Sequence, residues 1–205
     1  MDYLVWIDCE MTGLSLADDA LIEVAALVTD KDLNVLGEGV DRVIAPPPKT
    51  LAAMDPFVVQ MHTASGLLDL LDGGESLPEA EAAVLAYIRE HVPEAGKAPL
   101  AGNTIGTDRA FLARDMPALE GHVHYRNVDV STVKELAKRW FPRIFYCAPA
   151  KQGNHRALAD IRESIEELRY YREALFVPEP GPDRTRLAAI AAKCQGALTG
   201  SQPAS

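Results

Sequence analysis

The sequence YLVWIDCE, residues Tyr3–Glu10, combines the pattern of a buried β-strand with two acidic side chains. An uninterrupted apolar run rich in β-branched and aromatic residues is typical of a strand inside a sheet. Gly13 and the pair Asp18–Asp19 end this pattern, so the strand stops close to its acidic residues. Side chains two positions apart leave a strand from the same face, and Asp8 and Glu10 therefore point in one direction.

The segments that follow predict a sheet of five strands. Leu21–Thr29 and Val35–Ile44 have the composition of two further strands, joined by a short polar turn. Strands that are consecutive in sequence commonly pair, which predicts a meander with the first strand at its centre. Pro99–Asn103 and His124–Val130 are predicted as the remaining two strands.

Helical patterns occupy most of the rest of the chain. Ser76–Glu79 is a capping box with proline in the first turn, and it predicts an amphipathic helix that ends near His91. Further helices are predicted over Asp108–Met116, from a cap at Thr132–Glu135 to Trp140, and over Ala157–Leu175. This order of elements predicts an α/β fold in which a mixed five-stranded sheet is flanked by helices.

The composition changes after residue 176. Four of the five residues 178–182 are proline or glycine, which indicates a linker, and Arg184–Cys194 is predicted as a short alanine-rich helix. Residues 200–205 have the composition of a flexible tail. We therefore expect one catalytic domain at residues 1–176 and an appendage at residues 177–205.

The charge of the chain limits the kind of nucleic acid that it can bind. The 205 residues include 20 Lys and Arg against 30 Asp and Glu, a formal net charge of −10. Tight binding to long duplexes depends mainly on basic side chains that neutralise phosphates, so we expect no long duplex partner. Any nucleic acid ligand should be short and held by a local site. The same composition is also typical of an ordinary enzyme without a polyanionic ligand.

The sequence also predicts a cytoplasmic protein without a membrane partner. Its longest apolar stretches are the length of a strand and not of a bilayer. Met1–Tyr3 is not followed by the basic and apolar segments of a secretory signal. Cys9, Cys147 and Cys194 share no disulfide or metal-binding spacing, which is consistent with a reducing compartment.

Four carboxylates from three segments form a candidate metal site. Asp8 and Glu10 would repel each other beside a buried sheet unless a cation compensates, although many such pairs are strand ends in solvent. Asp108 is expected at a helix start, where the ordinary role of an acid is to complement the helix dipole. Asp160 is expected on the same face as the apolar stripe of the last long helix, where the ordinary role of an acid would be a salt bridge. Together they offer the oxygen-rich set that Mg²⁺ or Mn²⁺ prefers.

Ordered motifs extend this set along nearly the whole chain from Leu4 to about Leu175. They are WIDCEMTGL (Trp6–Leu14), MHTASGL (Met61–Leu67), GNTIGTD (Gly102–Asp108), HYR (His124–Arg126), DVST (Asp129–Thr132) and KQGNHRALADIRES (Lys151–Ser164). In this order and spacing they resemble the histidine-bearing branch of the DEDD exonuclease superfamily, and within it the oligoribonuclease family. The resemblance implies a ribonuclease H-like exonuclease fold, and the tail after Phe176 lies outside the common pattern.

The resemblance also implies a two-metal-ion mechanism. Asp8 would bridge two divalent ions, Mg²⁺ or Mn²⁺, with Glu10 and Asp160 on one ion and Asp108 on the side of the other. Such a pair activates a water molecule and stabilises the leaving 3′ oxygen. A homologue that had lost its activity should lack at least one acid, and here all four are present.

His155 would be the general base, because an unperturbed imidazole pKa near 6.5 suits that role. The alternative for His155 is a helix-entry residue that bonds a carbonyl. His91 and His122 have no comparable sequence context, and we expect both at the surface.

The substrate implied by the resemblance is a short oligoribonucleotide, especially a dinucleotide, cleaved from its 3′ end to 5′-mononucleotides. The residues carried over by position as substrate contacts are Leu14, Phe57, His62, Thr104, Tyr125, Arg126 and Ser131. Leu14 would wedge between the bases and Phe57 would stack on one of them, although Phe57 by itself is more typical of a core residue. Thr104, Arg126 and Ser131 would bind the 5′ phosphate.

Two of these positions depart from the family pattern. The family usually has tryptophan where this chain has Phe57, and serine where it has Thr104. Stacking on Phe57 should survive with a smaller area, and the hydroxyl group is kept at Thr104. Tyr125 would reach the site from the partner subunit of a homodimer.

Two other functions share part of this pattern. A DNA-processing or tRNA-trimming exonuclease would have the same acids and histidine, but not the segments Thr63–Leu67 and Tyr125–Arg126. An idle nucleic-acid-binding scaffold would keep the fold without its complete set of catalytic groups. The complete set favours a metal-dependent 3′-5′ exoribonuclease.

Overall fold

One mixed sheet organises the part of the chain that the computed structural model describes, residues 2–150 and 156–199. Its strands are β1 (Tyr3–Met11), β2 (Leu21–Asp30), β3 (Val35–Val43), β4 (Pro99–Gly102) and β5 (His124–Asp129). Their order across the sheet is β3-β2-β1-β4-β5. β1 pairs antiparallel with β2 and parallel with β4, so the first strand is central. The predicted fold class and the central position of the first strand are confirmed.

Helices cover both faces of this sheet. They are α1 (Pro48–Ala52), α2 (Pro56–Ala64), α3 (Leu77–His91), α4 (Gly106–Asp115), α5 (Pro117–Glu120), α6 (Val130–Trp140), α7 (Pro142–Tyr146), α8 (Ala157–Leu175) and α9 (Arg184–Thr199), with a 3₁₀ helix at Leu68–Gly73. The predicted bounds of α8 are confirmed. The predicted capping box of α3 is confirmed too, because the Glu79 carboxylate accepts the Ser76 N–H at 3.0 Å.

The predicted start of α6 was wrong. The helix begins at Val130 because the Asp129 carboxylate accepts the N–H of Ser131 at 3.0 Å and so acts as the cap in place of Thr132. The alanine-rich helix α9 also continues beyond its predicted end at Cys194. The first two helices were not predicted, and each starts with proline in its first turn.

β1 divides its side chains between two cores, and this division orients the acidic residues. Val5, Ile7 and Cys9 belong to the core beneath α3 and α4. Trp6 belongs to the opposite core, with Ile161 of α8, and its indole N–H donates to Thr29 Oγ1 at 3.0 Å. Burial of large apolar side chains on both faces supplies most of the stabilisation, at roughly 1.5–3 kcal/mol each. Because strand side chains alternate, Asp8 and Glu10 share the face of Trp6 and point towards α8.

His122 is not at the surface, contrary to the prediction. Its ring is buried, and Nε2 lies 2.8 Å from the carbonyl oxygen of Val92 at the end of α3. The imidazole therefore ties α3 to the loop before β5, a role that depends on tertiary contacts and has no local sequence signal.

The segment after α8 differs from the rest of the described chain. Phe176 and Val177 are exposed, and no described residue of α9 belongs to either core. The division of the chain at residue 176 stays a prediction. Across residues 2–150 and 156–199, each helix is too short or too polar to cross a lipid bilayer.

Candidate active site

Three carboxylates converge where β1 meets the first turn of α8. Asp8, Glu10 and Asp160 each offer an oxygen atom, and these atoms all lie within 4.8 Å of one another. Asp8 and Glu10 come together because they alternate on one strand face, and Asp160 comes from the helix packed on that face. We call this group the three-carboxylate cluster.

The electrostatics of the cluster favour a bound cation. The pKa of Glu10 is raised to about 8, chiefly by burial and in addition by the nearby charges of Glu23, Asp160 and Asp108. Burial also holds the pKa of Asp8 well above its ordinary value, with repulsion from Asp108 and Glu10 added. A hard divalent cation would replace the protons that these oxygens otherwise retain, since carboxylate oxygens are the ligands that Mg²⁺ and Mn²⁺ prefer. The donor set therefore fits the implied metal.

Asp108 adjoins this cluster from the other core. It lies in the first turn of α4, it is buried, and its Oδ1 accepts the backbone N–H of Cys9 at 3.0 Å. Burial raises its pKa to about 6. Cys9 separates Asp8 from Glu10, so this hydrogen bond fixes the fourth predicted carboxylate against the same stretch of β1. Asp108 does not belong to the group of atoms within 4.8 Å.

Two residues that were not predicted as site residues, Glu23 and Arg156, lie beside the cluster. Glu23 is opposite Glu10 on β2 and is fully buried, and its Oε1 accepts from Arg156 Nε at 2.8 Å. Its Oε2 accepts the N–H of Ala157, the first residue of α8, at 3.1 Å. A single acid in the apolar run LIEVAALV makes Glu23 unusual in the sequence, but it does not indicate the partners of that acid. His155, the predicted general base, lies outside the described residues.

The two predicted hydroxyl contacts of the 5′ phosphate lie together at the ends of β4 and β5. Thr104 Oγ1 and Ser131 Oγ are 3.1 Å apart, and Ser131 Oγ donates to Asn103 Oδ1 at 3.0 Å. The Thr104 N–H donates to Asp129 Oδ1 at 2.9 Å, and Thr104 has a positive φ of 54°. The side chains around this turn therefore hold a backbone conformation that is uncommon for threonine.

The two side chains predicted to contact the nucleotide bases, Leu14 and Phe57, are exposed at the surface. Leu14 and Phe57 are 76% and 73% exposed, so the core interpretation of Phe57 was wrong. His62 differs from them, because it is fully buried and its Nε2 lies 2.9 Å from the carbonyl oxygen of Met11. Tyr125 is 73% exposed, and the Arg126 guanidinium lies 5.5 Å from the centre of its ring. The assignment of these residues to the substrate stays a prediction.

The class of protein follows from this geometry together with its relatives. The family model described as Exonuclease, RNase_T, matches residues 5–168. The oligoribonuclease of Streptomyces griseus is 72% identical over 192 residues, which cover 94% of this chain and 96% of that protein. The oligoribonuclease of Cutibacterium acnes is 69% identical over 198 residues, covering 97% of this chain and 98% of that protein. The chain therefore belongs to the oligoribonuclease family.

Solved structures agree on the fold. The zinc-bound complex of E. coli exonuclease I with single-stranded DNA has a TM-score of 0.65 and 18% sequence identity to this chain. Exonuclease I of Methylocaldum szegediense has a TM-score of 0.59 and 20% identity. The chain spans about two fifths of the length of these structures, 41% in both cases. Their similarity supports an RNase H-like exonuclease fold and not a shared substrate.

Proposed function

We propose that this protein is a metal-dependent 3′-5′ exoribonuclease that hydrolyses short oligoribonucleotides, especially dinucleotides, to 5′-mononucleotides. The observation that carries the proposal is the three-carboxylate cluster, which lies at the end of the central strand in a chain of the oligoribonuclease family. The raised pKa values of Asp8 and Glu10 indicate a site that is incomplete without positive charge.

We assign the cluster to two divalent ions, Mg²⁺ or Mn²⁺. Asp8 would contact both ions, Glu10 and Asp160 would bind one of them, and Asp108 would bind on the side of the other. When bound, such ions lower the pKa of the attacking water and stabilise charge on the leaving 3′ oxygen. His155 would accept the proton of that water, a role supported by its place in the family motif, two positions before the first residue of α8.

The substrate would be held by contacts at its ends. Leu14 and Phe57 offer exposed apolar surfaces on which bases can stack, at about 1–3 kcal/mol for each base. Thr104, Arg126 and Ser131, which we call the phosphate cap, would bind the 5′ phosphate through two hydroxyls and one guanidinium. A few groups at one end can hold an anion on a protein whose net charge is −10.

We also propose that the protein works as a homodimer in the cytoplasm. Trp140 on α6, Phe141 between α6 and α7, and Tyr146 on α7 are large exposed side chains, and Tyr125 is exposed on β5, which directly precedes α6. Exposed apolar patches of this kind mark interfaces, and a second copy would allow Tyr125 to enter the partner's site. The exposed thiols of Cys147 and Cys194 are typical of a reducing compartment. A monomer in light scattering at working concentrations would contradict the dimer.

The test is a series of 5′-labelled RNAs from two to about ten nucleotides, cleaved under single-turnover conditions with Mn²⁺ or Mg²⁺. We expect dinucleotides with a 5′ phosphate to react fastest and the rate to fall with length. Phosphates outside the site should meet a neutral or repulsive field, so the rate on dinucleotides should fall less than about tenfold between 50 and 200 mM salt. Rates that rise with length, or equal rates on short DNA, would favour a general trimming exonuclease.

A further inference from the structure

Glu23 has an environment that the proposed chemistry leaves unexplained. It is a fully buried carboxylate on β2, directly opposite Glu10, on the face that already carries the three-carboxylate cluster. Another negative charge at this place increases the repulsion, as its effect on the pKa of Asp8 and Glu10 shows. Buried charges are retained where they are paired and hydrogen-bonded, and the partners of Glu23 define its role.

Two hydrogen bonds reach Glu23 from the start of α8. Arg156 Nε donates to Oε1 at 2.8 Å, and the N–H of Ala157 donates to Oε2 at 3.1 Å across 134 residues of sequence. The first N–H groups of a helix have no acceptor within the helix. Arg156 precedes the helix and caps it with no side-chain hydrogen bond of its own. Glu23 therefore caps α8 from a neighbouring strand.

This cap is directly connected to a residue of the cluster. The carbonyl oxygen of Arg156 accepts the N–H of Asp160 at 3.0 Å, so the residue that Glu23 holds also begins the turn that carries Asp160. On its other side, Arg156 Nη2 lies 3.7 Å from Asp41 Oδ2 on β3. Arg156 is thus fixed between two strands of the sheet, and its position sets where α8 begins.

We propose, on the basis of the function assigned above, that Glu23 is a positioning residue that holds Asp160 in place for metal binding. Glu23 is not one of the three residues whose oxygen atoms lie within 4.8 Å of one another, and both of its oxygens accept from the start of α8. It fixes the first turn of α8 against β2. Asp160 is therefore held close to Asp8 and Glu10 before the metal binds. Groups that orient metal ligands in this way typically change metal affinity or activity about 10–100-fold when they are replaced.

The matched control is Glu81, which performs the same structural task far from the cluster. Its Oε1 accepts the N–H groups of Ala118 and Leu119, at 2.7 and 3.1 Å, and so caps α5 from a neighbouring helix. Glu81→Ala is the control variant, because a glutamine amide could still accept both N–H groups through its one oxygen. Glu23 accepts through both of its oxygens, so Glu23→Gln is sufficient to remove one acceptor of its cap. Of the two caps, only that of Glu23 holds a helical turn that contains a residue of the three-carboxylate cluster, Asp160.

The experiment measures Mn²⁺ binding to the intact metal-free protein by calorimetry, together with Tm and the kcat and KM for a dinucleotide. We expect Glu23→Gln to weaken Mn²⁺ binding at least about tenfold. At saturating Mn²⁺ its KM should change less than twofold while kcat falls. Glu81→Ala should lower Tm and leave Mn²⁺ binding as in the parent. Arg156→Lys keeps the positive charge but has a shorter side chain, so it should give an intermediate loss of Mn²⁺ affinity. It replaces Glu23→Gln in the experiment if that variant does not fold.

Two outcomes would overturn the inference. Parental Mn²⁺ affinity in Glu23→Gln, or in Arg156→Lys if the first variant does not fold, would leave Glu23 as a structural cap only. Equal losses of Mn²⁺ affinity in Glu23→Gln and Glu81→Ala would mean that general destabilisation is responsible. Failure of the proposed function itself is distinguishable, since then the parent protein would neither bind Mn²⁺ at the cluster nor cleave short RNA.

Discussion

At the scale of single residues, hydrogen-bond direction separates the two hydroxyls of the phosphate cap. The Glu167 carboxylate can only accept, so the Asn103 Nδ2 atom that lies 3.2 Å from it must be the amide nitrogen. The same nitrogen donates to Ser164 Oγ at 2.7 Å. Asn103 Oδ1 is therefore an acceptor, and Ser131 must donate its one hydroxyl proton to it. Thr104 is then the donor in the pair that it forms with Ser131.

Thr104 should consequently contribute more to recognition of a 5′ phosphate than Ser131. Its proton can turn from Ser131 towards a phosphate oxygen, whereas the Ser131 proton is committed to Asn103. A hydrogen bond to a charged group contributes about 1.5–3 kcal/mol, so Thr104→Val should reduce the preference for 5′-phosphorylated over 5′-hydroxyl dinucleotides by about tenfold or more. Ser131→Ala should reduce it less than threefold. The measurement is kcat/KM for both substrates, and a larger effect of Ser131→Ala would refute the argument.

Glu10→Gln should make the metal-free protein more stable and inactive. The amide removes a buried carboxyl group that, with its pKa raised to about 8, must take up a proton when the metal-free protein folds at neutral pH. A relief of about 1 kcal/mol would raise Tm by about 2–4 °C in a domain of this size. Thermal melts in EDTA and turnover with Mn²⁺ test this, with the exposed Glu38→Gln as the control. Unchanged turnover would remove Glu10 from the metal ligands.

At the scale of elements, a feature could be predicted when its sequence pattern lay within the element itself, and not when it depended on contact with another element. The bounds of α8 followed from its own apolar stripe, and the direction of Asp8 and Glu10 followed from strand alternation. The cap of α6 was missed because Asp129 acts through its place at the end of β5. The role of Glu23 was missed because it depends on the register of β2 and on contact with α8, which no local pattern encodes. The carboxylates could thus be identified from the sequence, but not the groups that position them.

The cap of α6 should couple helix stability to phosphate recognition. The two oxygens of Asp129 accept from the N–H of Ser131, the N–H of Thr104 and the hydroxyl of Thr132. Asp129→Ala should therefore cost about 0.5–2 kcal/mol of stability and also reduce the preference for a 5′ phosphate. Ser76→Ala, at the start of α3, should cost similar stability and leave the preference intact. Denaturant titration and the paired dinucleotide assay measure both, and equal preferences in the two variants would contradict the coupling.

At the scale of the whole molecule, the effect of pH on stability should depend on whether metal is bound. In the metal-free protein the pKa of Glu10 is raised to about 8 and that of Asp108 to about 6, whereas both lie near 4 in an unfolded chain. Burial raises the pKa of Asp41 to about 6 as well. The folded state then binds more protons than the unfolded state between about pH 4 and 8, so stability falls as pH rises through this window.

Thermal melts at pH 5, 6.5 and 8 test this linkage. In EDTA we expect Tm to fall with each step, and the gain in Tm on adding saturating Mn²⁺ to be largest at pH 8, where the ion competes with the fewest protons. Glu10→Gln should flatten the dependence between pH 6.5 and 8. A Tm in EDTA that rises over this range would show that the buried carboxylates are compensated by the protein itself.

The two tryptophans give the molecule a pair of independent optical reporters. Trp6 is completely buried and its indole N–H is hydrogen-bonded, while Trp140 is 66% exposed on the surface assigned to the second subunit. The emission of Trp6 should stay at short wavelength until the sheet unfolds. Collisional quenching by iodide should reach Trp140 alone, and it should weaken as the protein concentration rises if two copies associate through this face. One fluorescence titration can therefore follow assembly and unfolding separately, without any label attached to the chain.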